Sequence, residues 1–269
     1  MTRFFIAILF LLLPHEFFAQ TYEELIEHAI AAAQADSLKQ SEALYKMALK
    51  ASPNDYRNAL VYHSLGHVQE LMYWQNTSDT KMLEDAVYNY SKAIDMQPES
   101  ALIRSSRANL LLNVKNYDKA ILDYSEIIKK NPSDIEALNR RAFAYYEMRD
   151  YDKARTDYEA VLKIKPTDYI SALGIALVLQ KTNKLNDAIT RMGFLIAAHP
   201  ESAELYVVRA SMYSDQNKFE LALLDLNQAV SIEPQNPQHL LHRADLYDKM
   251  KKHTQARNDR RKAQKLLAQ

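Results

Sequence analysis

The stretch ALIRSSRANLLLNVKNYDKAILDYSEIIKKNPSD, residues 101–134, decides how this chain reads. Apolar residues recur in it at helical spacing in two blocks, parted by a short polar turn at Lys115 and Asn116. The spacing predicts two antiparallel helices. The second block ends at Pro132, which has no N–H to give and clashes with the preceding turn, so no helix runs through it. Pro98, Pro166, Pro200 and Pro234 stand with Pro132 in a series whose step is 34 residues. A fixed period of that size means one helical hairpin repeated, each copy burying its apolar face on the next.

The residues that recur say how the hairpin closes. Ala108, Ala142, Ala176, Ala210 and Ala244 share one position of the first helix, and Ala120, Ala154, Ala188, Ala222 and Ala256 share one of the second. Small side chains there let two helices approach closely. Leu111, Tyr145, Leu179, Tyr213 and Tyr247 on the first helix, with Tyr124, Tyr158, Met192 and Leu226 on the second, are bulky neighbours that pack on the adjacent pair. With these residues in place the chain resembles the tetratricopeptide repeat (TPR) family. The resemblance runs from Tyr22 to the end and implies an all-α fold, a right-handed superhelical solenoid of about seven helix-turn-helix repeats.

The repeats are read as residues 22–55, 59–100, 101–134, 135–168, 169–202, 203–236 and 237–269. The first is degenerate, with Ser41 where alanine is usual. The second carries about eleven extra residues between Pro53 and Pro98. With Gly66 and Ala86 at the close-approach positions, most of the excess falls around Tyr73 to Asp79, which predicts a longer inter-helix loop holding the only tryptophan, Trp74. The plainer reading, a pair of longer helices with Trp74 packed on a neighbour, is preferred.

Residues 1–19 are of another kind. Arg3 leads an apolar run from Phe4 to Leu13, followed by Pro14 and a segment ending FFAQ. This is a secretory signal, expected to be cut after Ala19, although Phe17 is larger than the residue usual three places before a cut. The apolar run is too short for a membrane span, which takes about 20 residues, and no transmembrane span is expected in the mature chain. The segment resembles signal peptides of Gram-negative bacteria, which implies export to the periplasm or cell envelope. There is no cysteine, so no disulfide braces the fold and no lipid attaches through a thiol.

One regularity links positions far apart in sequence. Arg107, Arg141, Arg209 and Arg243 hold the seventh place of their repeats, and the same four repeats carry Asp123, Asp157, Asp225 and Asp259 at the twenty-third. The repeat with Ile175 in place of the arginine has Arg191 in place of the aspartate. Pairing within a repeat satisfies all four arginines, whereas pairing to the preceding repeat sets Arg209 against Arg191. Arg–Asp bridges within each hairpin are therefore expected, in a structural role.

Composition excludes several chemistries. The 34 basic and 34 acidic residues balance, so no general affinity for nucleic acid is expected. Three glycines, Gly66, Gly174 and Gly193, form no phosphate loop, and no nucleophile constellation is present. No catalytic residue, cofactor or metal is therefore expected. His63, His67 and Glu70 share one face of a helix, a spacing that two histidines and a carboxylate can use for zinc, but no hydrolase signature surrounds them.

Binding remains. In the TPR family the first helix of each repeat lines a concave groove, mainly through its second, fifth, ninth and twelfth residues. Here these are Leu102, Ser105, Asn109 and Leu112, then Glu136, Asn139, Phe143 and Tyr146, then Ile170, Leu173, Leu177 and Gln180, then Glu204, Val207, Ser211 and Ser214. Arg140 lies at the margin. Such a groove suits a peptide with hydrophobic anchors. The family's carboxylate clamp is not reproduced by Ser105, Asn109, Arg140, Ile170 and Gly174. The last helix is basic, with Lys251, Lys252, Arg257, Arg260, Arg261, Lys262 and Lys265, and offers a place for an acidic partner. The resemblance thus implies a non-catalytic protein-interaction scaffold of the cell envelope. The alternative is a small-ligand or metal carrier using the same groove near His63 and His67.

Overall fold

A computed structural model describes residues 20–268; residues 1–19, read above as a secretory signal, lie outside the described residues. The described residues are helical with no strand. Fourteen helices follow in chain order: α1 (Tyr22–Gln34), α2 (Leu38–Ala51), α3 (Asn58–Gln75), α4 (Thr80–Met96), α5 (Ala101–Asn113), α6 (Tyr117–Lys130), α7 (Ile135–Glu147), α8 (Tyr151–Ile164), α9 (Tyr169–Lys181), α10 (Leu185–Ala198), α11 (Ala203–Asp215), α12 (Phe219–Ile232), α13 (Pro237–Lys249) and α14 (His253–Leu267). They pair as seven hairpins. The chain forms two compact units that divide between Ser106 and Arg107, inside α5.

Local chemistry sets the helix ends. The side chains of Asp134, Asp150 and Asp168 accept hydrogen bonds from backbone N–H groups of the first turns of α7, α8 and α9, which satisfies donors that a helix start leaves bare. Each repeated proline follows directly on the C-cap of a second helix, such as Asn131 before Pro132 or Lys165 before Pro166, where its missing N–H costs nothing.

In the second unit the close-approach alanines are sealed, with Ala108, Ala120, Ala142, Ala154, Ala176 and Ala188 all at 0% exposure. The ion pairs form as expected. In all four repeats the arginine Nε donates to one carboxylate oxygen and Nη2 to the other, at 2.7–2.9 Å. The fork ties first helix to second within each hairpin. Its third nitrogen, Nη1, reaches the preceding repeat where a side chain allows: Arg141 donates to Ser125 at 3.0 Å and Arg243 to Asn227 at 2.8 Å. In the repeat without the pair, Ile175 and Met192 fill the space and are fully buried.

The first unit departs from the regular pattern. Ser41 occupies the alanine position at 0% exposure because its hydroxyl donates to the Ala29 carbonyl at 2.8 Å. Gly66 and Ala86 meet as expected; a Cβ on Gly66 would press on the Tyr90 ring and the Ala86 carbonyl. The long loop is not there, and the plainer reading of longer helices holds. The extra residues lengthen the helices, α3 to 18 residues and α4 to 17, and the turn is only Asn76 to Asp79. Trp74 sits in the last turn of α3, edge-on to Tyr73 at 4.9 Å. The reason is local: Leu71, Met72, Tyr73 and Trp74 favour continuation, and Asp79 caps α4 by accepting from Met82 N–H.

Six turns between paired helices share a left-handed residue without a glycine: Asp36, Lys115, Arg149, Asn183, Asn217 and Lys251, with φ of 57–63°. A left-handed backbone costs an L-residue about 1–2 kcal/mol, less for asparagine.

Two stability tests follow. Asp157→Ala strands the Arg141 guanidinium, whose side chain is 19% exposed, and is expected to cost about 3–5 kcal/mol in urea unfolding, while Arg141→Met with Asp157→Leu lies much nearer to neutral. Arg149→Gly relieves the left-handed turn and raises the unfolding free energy, and with it Tm, by about 1 kcal/mol or less once glycine's greater loss of freedom is counted. Asn183→Gly raises it less.

Candidate interaction surface

The first helices of the second unit present a face that is partly apolar. Phe143 is 44% and Ile170 59% exposed. Leu173, Leu177, Val207 and Tyr146 are half-buried beside them, and Tyr146 meets Tyr151 edge-to-face at 5.6 Å. Arg140 is exposed at the margin, 3.8 Å from Glu136. These positions recur on successive helices because the period returns the same face of each first helix to the same side.

Three of the groove positions are spent on the fold. Asn109 accepts a 2.6 Å hydrogen bond from the Tyr124 hydroxyl. Leu112 is buried at 4% exposure. Asn139 is buried too: its amide donates to Asp168 at 3.2 Å and its oxygen accepts from the Ser171 hydroxyl at 2.6 Å. Asp168 is thereby held in a network joining α7 to the start of α9. Burial opposes ionisation of Asp168, but hydrogen bonds from Ser171 and Asn139 outweigh it and hold the carboxyl below its usual range. Asn139 thus sets the spacing of two repeats and offers little to a ligand.

A cleft between α11 and α13, of about 410 Å³, opens on the same kind of face. Val207, Ser211, Ser214, His242, Asp245 and Lys249 line it. Its α13 side was missed in the sequence; the signal was there, since His242 and Asp245 hold the sixth and ninth places of their repeat. The basic helix α14 is less free than its composition implies. Arg260 donates to Asp248 at 2.6 Å and to Asp245 at 2.7 Å, and Lys252 to Glu220 at 3.3 Å. Arg257, Arg261, Lys262 and Lys265 remain exposed.

In the first unit, His63, His67 and Glu70 do not converge on a common point. Among the described residues no group of three or more histidines and carboxylates is placed to hold a metal. His63 Nε2 lies 2.9 Å from the Ser106 hydroxyl, and His67 Nδ1 lies 3.9 Å from Glu70. Glu70 also accepts from the Tyr90 hydroxyl at 2.7 Å and from the Trp74 indole at 3.4 Å. Burial opposes the charge on Glu70, yet these donors together with His67 outweigh it and lower its pKa. The two histidines are driven apart: Glu70 raises the pKa of His67, whereas burial, helped by His67, lowers that of His63.

Family models describing a tetratricopeptide repeat match residues 83–135, 135–168 and 173–237. The chain belongs to the tetratricopeptide repeat family. A search of curated proteins finds no match. Among solved structures, a tetratricopeptide repeat protein of Parabacteroides merdae is 23% identical over 91% of this chain and 93% of its own, with a TM-score of 0.75. MamA of Desulfovibrio magneticus is 20% identical over 63% of this chain and 96% of its own, with a TM-score of 0.55. PilF of Pseudomonas aeruginosa is 15% identical over 85% of this chain and 97% of its own, with a TM-score of 0.59. At such identities the likeness is one of fold. A TPR fold is in general a protein-interaction scaffold, and TPR repeats point to protein partners. No described helix is long and apolar enough to cross a membrane.

The histidine pair gives a sharp titration test. The attraction between His67 and Glu70 exists while His67 is protonated and Glu70 ionised, so it fades as pH rises through the raised pKa of His67 and as pH falls through the lowered pKa of Glu70. Proton NMR should show His67 titrating above His63, and Glu70→Gln should bring His67 down towards an ordinary histidine.

Proposed function

We propose that this protein is a non-catalytic scaffold of the cell envelope that holds a protein or peptide partner on the first-helix face of its second unit. One observation carries the reading: Phe143 and Ile170 stand 44% and 59% exposed on consecutive first helices, flanked by the half-buried Leu173 and Leu177. Apolar side chains left in water on a recurring face are what a partner's anchors bury. The export signal read in residues 1–19 supports the envelope location. Among the described residues, the carboxylates Glu70 and Asp168, both held below their usual range, are engaged in bonds within the fold and not free for acid–base chemistry.

Affinity capture from an envelope extract tests the proposal, comparing the protein with a Phe143→Ser, Ile170→Ser variant. Both residues are exposed, so the variant is expected to keep its helical circular dichroism. The scaffold reading expects one prominent protein to be lost, with affinity reduced at least tenfold. Equal recovery by both proteins moves the partner off this face. Recovery of no protein at all favours the small-ligand reading, for which the 410 Å³ cleft beside Val207 has a suitable volume.

A further inference from the structure

The repeat formed by α9 and α10 differs from the others at several positions that lie together. At the twenty-third position, where its four relatives bury an aspartate at 3–6% exposure, it has Arg191. That guanidinium is exposed and, among the described residues, makes no hydrogen bond or ion pair. The partner position is closed by Ile175, 1% exposed. The charge that elsewhere is locked between two helices here points outward.

Three residues on, at a place that holds Lys92, Glu126, Ala160 or Gln228 in other repeats, stands Phe194. It is 73% exposed, the highest value for a large apolar side chain of the second unit. Arg191 and Phe194 both line a crevice of about 320 Å³ whose other walls include Leu162, Pro166, Ala172 and Leu195. The walls come from α8, the turn after it, α9 and α10. Between the two stands Gly193, where an added Cβ would meet nothing within 4 Å. Glycine is therefore not required there by internal packing. Its effect is to keep the helix surface low beside the phenylalanine. Ser125 and Asn227, at the same place in other repeats, accept from Arg141 and Arg243; Gly193 denies Arg209 that acceptor.

We propose that this crevice is a second docking site, separate from the first-helix face, and that its occupant is a segment of another protein presenting a large apolar side chain next to a carboxylate. Charge complementarity selects the occupant. An unpaired guanidinium offers a planar fork of donors that matches a carboxylate in two bonds. The apolar walls and Phe194 need an apolar anchor to leave water. A volume of about 320 Å³ receives one or two large side chains, at the low end of what ligand sites occupy.

Fluorescence anisotropy with the purified protein tests this, using fluorescein-labelled decapeptides with a central Leu-Phe-Glu-Glu, Leu-Phe-Gln-Gln or Ser-Ser-Glu-Glu. The first is expected to bind saturably, and the other two at least tenfold more weakly. Arg191→Gln and Phe194→Ser, both exposed and so harmless to folding, are each expected to weaken the first peptide at least tenfold. Phe143→Ser is expected to leave it unchanged, which separates this site from the first-helix face. The proposal is overturned if the amide peptide binds as well as the acidic one or if Arg191→Gln has no effect. It is equally overturned if Phe143→Ser abolishes binding or if no peptide saturates at millimolar concentration.

Discussion

A guanidinium and a carboxylate taken out of water between two helices are tolerable only in good geometry, because desolvation of either alone costs more than most contacts return. The four Arg–Asp forks meet that condition with two parallel bonds each. The paired bonds define the rotation of the second helix about its axis as well as its distance from the first. The alanines beside them permit the close approach, and the third arginine nitrogen, where Ser125 or Asn227 receives it, extends the constraint to the preceding hairpin. In the one hairpin of the second unit without a fork, Ile175 and Met192 do by volume what the others do by charge.

Much of this could be read in the sequence because it is periodic. Proline, alanine, arginine and aspartate each return at the same step, and among the five regular repeats from residue 101 on, the joint loss of Arg and Asp from one points to their pairing. The second repeat was harder. Eleven surplus residues show that something is longer but not which part, and Tyr73 to Asp79 has a polar end that resembles a loop; the apolar residues before it and the cap at Asp79 decide for helix. The left-handed backbone of the turns between paired helices was equally hidden, since Lys115, Arg149 and Lys251 are not residue types that mark a positive φ.

The surface was less legible than the fold. A position in a repeat says which face a residue is on, but a polar side chain there can turn inward when a partner waits. Asn139 does so because Asp168 and Ser171, about thirty residues on, complete its hydrogen bonds. Formal charge misled in a similar way at α14, where Arg260 is held by two aspartates of α13. Phe143 and Ile170, having no hydrogen bonds to satisfy within the fold, stay where the period puts them.

The split between forked and unforked hairpins bears on heat. The hydration of ionic groups becomes less favourable as temperature rises, so the desolvation penalty of a buried pair shrinks, while the apolar contribution per unit area levels off. The hairpins closed by Arg141–Asp157 and Arg209–Asp225 therefore gain relative to the one closed by Ile175 as the protein warms. Contacts in a repeat array run chiefly between neighbours, so local differences are not averaged away. Within the second unit the repeats are a laminate of two cements with different thermal coefficients, and the balance of stability shifts away from α9 and α10 as temperature rises.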